Sequence, residues 1–180
     1  QDVGVELPML KAVQQINDRQ RQLLAERVVS RLGENLHGVT VGLWGLAFKP
    51  GTDDLREAPS LVLIEELLAR GAHVKAFDPV AMPGVAARLG ARQGLELVDH
   101  PMAAAQGASA LLVVTEWREF RSPDFAELKS RMLRPLVLDG RNLYDPAEMR
   151  ALGMEHVGVG RAESAPQATH VPIPLMAQAA

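Results

Sequence analysis

Four short apolar runs constrain the fold of this chain more than any other feature: VTVGLW at 39–44, HVKAF at 73–77, ALLVV at 110–114 and LVLD at 136–139. They run into Gly45, Asp78, Thr115 and Gly140, and helical periodicity fills the stretches between them. Runs of this length are shorter than the roughly 10–12 residues of a typical buried helix, so they read as strands covered on both faces. Pro59 to Arg70, closed by Gly71, reads as the helix between the first two. A helical piece around Val85 to Leu89, a short strand at Leu95 to Val98 and a small-residue helix at Met102 to Gln106 follow the second run. Ser122 to Arg131, with Pro123 and Asp124 at its start, and Asp145 to Leu152 complete the helices, and a last strand lies near His156 to Val159. Strands alternating with helices imply an α/β fold with a doubly wound, mainly parallel sheet.

Ahead of the first strand, Leu7, Leu10, Val13, Ile16, Leu24 and Val28 recur at near-helical spacing among polar residues, and Gly33 lies just beyond. A helix from Leu7 to Leu32 would be roughly 39 Å long at about 1.5 Å per residue, more than a small domain needs for its own cover. It is expected to brace domains or subunits. The last stretch, AESAPQATHVPIPLMAQAA, has three prolines and no sustained period, which predicts a tail without a fixed fold. Three segments follow: a connecting helix at 1–33, a nucleotide-fold domain at 34–161 and the tail at 162–180.

With 19 basic against 22 acidic residues and a net charge of -3, the 180-residue chain carries no basic stripe for nucleic acid or an anionic membrane. It contains no cysteine, which excludes a thiol nucleophile, thiolate metal sites and disulfides from what this chain can supply. His37, His73, His100, His156 and His170 show no paired metal-ligand spacing, so no metal site is expected. No leader pattern or apolar run of about 20 residues is present, and a cytoplasmic location is expected.

Open parallel sheets bind ligands beyond the C-terminal ends of their strands. The segment GLWGLAFKPGTDDLREAPS, 42–60, places Lys49, Asp53, Asp54, Arg56 and Glu57 at that edge. Lys49 offers a point charge to a phosphate and Arg56 a planar fork, with the two aspartates able to hold either cation. A solvated salt-bridge loop explains the same residues. Gly42 and Gly45 give only GxxG, short of a dinucleotide fingerprint, and Asp78 lies farther along than the ribose-binding acid of that fingerprint. Asp78-Pro79 is read as a turn, and Trp117 as packing with its indole N–H satisfied. Thr115, Glu116, Arg141 and Asn142 bring polar groups from two more strand ends to the same edge.

GLAFKPGTDDLREAPS, AFDPVA, VVTEWREF and DGRNLYDPAEMRALGMEHVGVGR, in that order and spacing, closely resemble the C-terminal, UDP-binding domain of the UDP-glucose 6-dehydrogenases. The leading helix resembles the end of the long central helix that joins the family's two Rossmann-like domains and contributes to dimer contact. The resemblance covers about residues 1–161. It implies oxidation of UDP-glucose to UDP-glucuronate with two NAD and one water, through a cysteine-bound thiohemiacetal and thioester. It further implies that Phe48, Lys49 and Arg141 contact the UDP moiety and that Arg56 reaches toward NAD. The family's N-terminal NAD domain and catalytic cysteine would lie outside this chain, leaving it without catalytic residues and inactive alone, with UDP-glucose, that domain and a second copy as partners. A UDP-N-acetylmannosamine or GDP-mannose dehydrogenase domain, or a non-catalytic dimerisation module, are the alternatives. One departure is Ala58, where the family usually has serine ahead of a helix expected to begin at Pro59.

Overall fold

The computed structural model describes residues 23–160. The first part of the expected leading helix, to residue 22, and the tail from 161 lie outside the described residues. Helix α1 is described over 23–32, and then β1 (Thr40–Trp44), α2 (Pro59–Ala69), β2 (His73–Phe77), α3 (Met82–Leu89), β3 (Leu95–Leu97) and α4 (Pro101–Ala104) follow. The chain continues through β4 (Ala110–Val113), a 3-10 turn at Arg118–Phe120, α5 (Phe125–Arg131), β5 (Leu136–Asp139), α6 (Pro146–Ala151) and β6 (Glu155–Gly158). All five strand pairings are parallel, in the order β3-β2-β1-β4-β5-β6. This is the doubly wound, Rossmann-like order, with its reversal between β1 and β4.

Alternation along the central strands divides the core into two layers. Val41 and Leu43 of β1, Leu112 of β4 and Leu136 and Leu138 of β5 face one side, where they pack with Leu24, Ala25 and Val28 of α1 and Leu63, Ile64 and Leu67 of α2. Trp44, Leu111, Val113 and Val137 face the other and pack with Phe120, Leu128 of α5 and Met149 of α6. Every residue of β4 and β5 is buried, as strands covered on both faces require. Helix α1 thus covers the half of one face that the crossover helices α2 and α3 leave open. Charge fastens it there: Arg31 pairs with Glu155 of β6, Arg134 reaches the same carboxylate at 2.7 Å and the Arg31 carbonyl at 3.0 Å, and Arg27 donates to the Gly158 carbonyl.

Helix starts follow local chemistry. Asp124 accepts from the Glu127 N–H at 2.9 Å, so α5 begins at Phe125, three residues later than its periodicity suggests, with Pro123 outside it. Asp145 accepts from the Ala147 and Glu148 N–H groups ahead of α6. Pro59 opens α2 behind Ala58, which makes no side-chain cap, as its methyl dictates. Helix α3 begins at Met82, earlier than the apolar spacing indicates, because Pro83 sits in its first turn.

Candidate functional site

The strand order reverses between β1 and β4, the place where open parallel sheets form a ligand crevice at their strand exits, and the loops that leave β1, β4 and β5 surround it. The first, 45–58, leaves β1 and carries the charged cluster. Gly45 turns it with φ 92°, and a Cβ there would lie 2.5 Å from Thr115, so only glycine allows the β1 and β4 exits to approach this closely. Six backbone groups of Leu46, Ala47 and Phe48 are then all hydrogen-bonded. Asp78 accepts from the Leu46 N–H at 2.7 Å and the Ala47 N–H at 3.1 Å. The Ser60 hydroxyl donates to the Leu46 carbonyl at 2.5 Å and the Thr115 hydroxyl to the Ala47 carbonyl at 2.6 Å. The Phe48 N–H donates to the Asp54 carbonyl at 2.9 Å, and its carbonyl accepts from Arg141 at 3.1 Å. On this fixed backbone the Phe48 ring stands 46% exposed, with Lys49 exposed beside it.

Arg141 joins the three strand exits. Its own N–H donates to Asp139 at the end of β5. Its guanidinium donates from Nε to the Val114 carbonyl at 2.7 Å and from Nη2 to the Phe48 carbonyl at 3.1 Å, so the side-on edge of the fork bridges the β4 and β1 exits. Glu116 Oε2 lies 2.8 Å from the same Nε as an ion pair without a hydrogen bond, since the Nε hydrogen is directed at Val114. Nη1 takes part in none of these contacts, which leaves the end-on edge of the fork for an anion. Arg141 is therefore held against the Phe48 backbone, next to which Lys49 follows in the loop.

Arg56 stands differently. Its Nε and Nη2 form a bidentate pair with Asp54 at 2.9 and 2.7 Å, its backbone N–H adds a third bond to that carboxylate, and its side chain is 87% exposed. The Arg56 guanidinium holds the Asp54 carboxyl at a pKa of about 2, with a smaller contribution from Lys49. Of the two aspartates expected to hold cations, Asp54 does so, and Asp53 is exposed. The next residue, Glu57, has φ 58°, in the left-handed region, as the chain turns into α2.

Asp78 and Asp139 are fully buried and explain what short-range pattern could not. Asp78 accepts from the Val80 and Ala81 N–H groups at 2.9 and 2.8 Å, which bears out the turn reading. It also accepts from the Trp117 indole at 3.0 Å, and from the two N–H groups of the β1 exit. Trp117 thus has its indole N–H satisfied while its ring packs against both core layers. Asp139 accepts from the Arg141 and Tyr144 N–H groups at 3.0 Å, and His156 Nε2 lies 3.3 Å away. Burial first, and then the Asp139 charge, push the Tyr144 phenol up, so it stays a neutral donor to the Phe120 carbonyl at 2.6 Å. Gly140 is required for packing: a Cβ there would meet the Val113 carbonyl at 2.8 Å and Leu24 of α1 at 2.9 Å. The signal for both carboxylates was an aspartate closing an apolar strand. Ser60 carried none.

The edge does not fit a dinucleotide. The acid at the β2 end, where a ribose would be held, is buried with both oxygens occupied by five protein donors. The β1 exit is a charged loop of 45–58 in place of a short glycine turn leading directly into a helix. Among the described residues no group of three or more metal-ligating side chains occurs, and no helix is long and apolar enough to cross a membrane.

Residues 42–146 match the family described as the UDP-glucose/GDP-mannose dehydrogenase family, UDP binding domain. A UDP-glucose 6-dehydrogenase from Pseudomonas aeruginosa is 52% identical over 170 residues, which cover 93% of this chain and 37% of that protein. The UDP-glucose 6-dehydrogenase TuaD of Bacillus subtilis is 36% identical over 158 residues, 88% of this chain and 34% of that protein. Among solved structures, a UDP-glucose dehydrogenase from Pyrobaculum islandicum superposes with a TM-score of 0.69 at 33% identity, covering 82% of this chain and 32% of that one. The chain spans about a third of the length of these relatives. A matched segment that begins within β1 and takes in β4, β5 and all three loops around the crevice makes this chain a member of the UDP-glucose/GDP-mannose dehydrogenase family, with that family's UDP binding domain as its fold.

Proposed function

We propose that this chain is the UDP-sugar-binding part of an NAD-dependent UDP-glucose 6-dehydrogenase, and that the UDP moiety lies in the crevice between the β1 and β4 exits. The observation that carries this reading is the bridging Arg141. With its side-on edge fixed on the Val114 and Phe48 carbonyls, it offers the other edge to a pyrophosphate beside the exposed Lys49. Phe48 supplies an exposed side chain at the same place, and we assign Arg56, farther along the same loop with its side chain 87% exposed, to reach toward NAD. The misfit of the buried Asp78 supports the reading that NAD is held by another part of the enzyme. The route that the family resemblance implies, from alcohol to acid, passes through a thiol, and this chain has no cysteine, so we assign it a binding role. Fixing the UDP end aligns the glucose carbon for chemistry carried out on groups outside this chain. We place the enzyme in the cytoplasm and assign the leading helix a dimer contact. The 52% identity to a UDP-glucose 6-dehydrogenase favours glucose over N-acetylmannosamine or GDP-mannose.

Calorimetric titration of the chain with UDP tests the assignment. Each of Lys49→Ala and Arg141→Ala removes a charge-assisted contact of about 1.5–3 kcal/mol and should weaken UDP by roughly 10–100-fold. Affinity unaltered in both variants contradicts the site.

A further inference from the structure

Resting on the UDP reading, we infer that Asp78 and Thr115 are positioning residues of the site, acting through the Leu46-Ala47-Phe48 backbone that carries the ligand-facing side chains of Phe48 and Lys49. Neither needs to touch the ligand. The Asp78 side chain is buried and both its oxygens are occupied by protein donors, while the Thr115 hydroxyl points its hydrogen at the Ala47 carbonyl.

The physical case is one of constraint. A loop leaving a strand ordinarily satisfies its peptide groups with water and retains freedom. Here the partners of six consecutive backbone groups come from four separate elements as well as the loop itself: the β2 exit, α2, the β4 exit and the β5 exit. Four of the six bonds join backbone to side chains of Asp78, Ser60 and Thr115, which are themselves fully buried. Such a backbone cannot move without leaving a buried carbonyl or N–H unpaired. The backbone that carries the exposed Phe48 and leads into Lys49 is thereby fixed before any ligand arrives, and a displacement of about 1 Å in positioning groups is costly. Asp78 is the stronger of the two constraints, because one carboxylate ties the β1 exit to the β2 exit and to Trp117 of the β4 exit.

The test uses the 180-residue chain. Thr115→Val keeps the shape of the side chain and removes its donor, Thr115→Ser keeps the donor, and Asp78→Asn replaces one of two acceptor oxygens with an NH2 group that cannot accept. Leu128→Ala, a cavity on the opposite layer, serves as a control that lowers stability without touching the loop. Two quantities are read for each folded variant: UDP affinity by calorimetry, and amide hydrogen exchange at Ala47 and Phe48 without ligand. Thr115→Val and Asp78→Asn are expected to accelerate exchange at these amides at least tenfold and to weaken UDP about tenfold. Thr115→Ser and Leu128→Ala should stay within twofold of the parent in affinity. If Asp78→Asn does not fold, the valine and serine pair decides alone. Exchange or affinity in Thr115→Val equal to the parent, or an affinity loss matched by Leu128→Ala, overturns the inference. A parent chain with no UDP affinity whose variants still show the exchange pattern upholds the positioning of the loop and removes the UDP reading instead.

Discussion

At the residue scale, Arg141 shows why the identity of a cation matters as much as its charge. Its planar fork spans two carbonyls that belong to different strand exits, 2.7 and 3.1 Å away, and still has an edge to offer. A lysine has one nitrogen and no fixed edge. Arg141→Lys should therefore lose at least tenfold in UDP affinity by calorimetry although the formal charge is kept, whereas equal affinity means that charge alone acts there. Tyr144 gives the opposite pattern. Tyr144→Phe leaves the Phe120 carbonyl without its donor and should cost about 1–3 kcal/mol in urea denaturation. Lys49 and Arg141 were legible as site candidates because each follows an apolar strand at the end where ligands bind, whereas Phe48 is singled out only by the family resemblance. The buried role of Asp78 was not legible, since three of its donors lie 31–39 residues back or ahead in the chain, as with Trp117.

At the scale of elements, strands were read more closely than helices. HVKAF and LVLD match β2 and β5 residue for residue: both faces of β5 are buried, whereas β2 alternates between partly buried His73 and Lys75 and buried Val74 and Ala76, and each run ends where an aspartate enters. Helix starts moved by three residues where capping and proline took precedence over periodicity, as at Asp124 and Pro83. The loop 45–58 has its own internal order in the Asp54–Arg56 fork. The Asp54 carboxyl titrates at about 2, below its ordinary 3.8, so the pairing is fully present above 3.8 and is lost as pH falls toward 2. At neutral pH the fork is closed and Arg56 is presented in one orientation. Side-chain carboxyl NMR should find the Asp54 midpoint near 2, and Arg56→Ala should move it up toward the ordinary value. An unmoved midpoint contradicts the pairing.

At the scale of the whole molecule, the order β3-β2-β1-β4-β5-β6 does two things. It places the reversal between β1 and β4, where the three polar loops converge, and it leaves half of one face for α1 to cover. Glu155 holds that cover in place by receiving both Arg31 and Arg134. Glu155→Ala should destabilise the fold by about 1.5–3 kcal/mol in denaturant unfolding and leave UDP affinity unchanged, because the contact lies at the start of β6, away from the strand exits. A parallel loss of affinity means that α1 and the crevice are coupled.

A pyrophosphate gripped beside the reversal of strand order, by cations from the β1 and β5 exits on either side of β4, is what the proposed site requires. A crystal structure of the chain with UDP measures this directly. The account predicts phosphate oxygens within hydrogen-bond distance of Lys49 Nζ and Arg141 Nη1, with the Arg141 bridge to Val114 and Phe48 intact. UDP seated elsewhere on the molecule, with both cations turned to solvent, contradicts it.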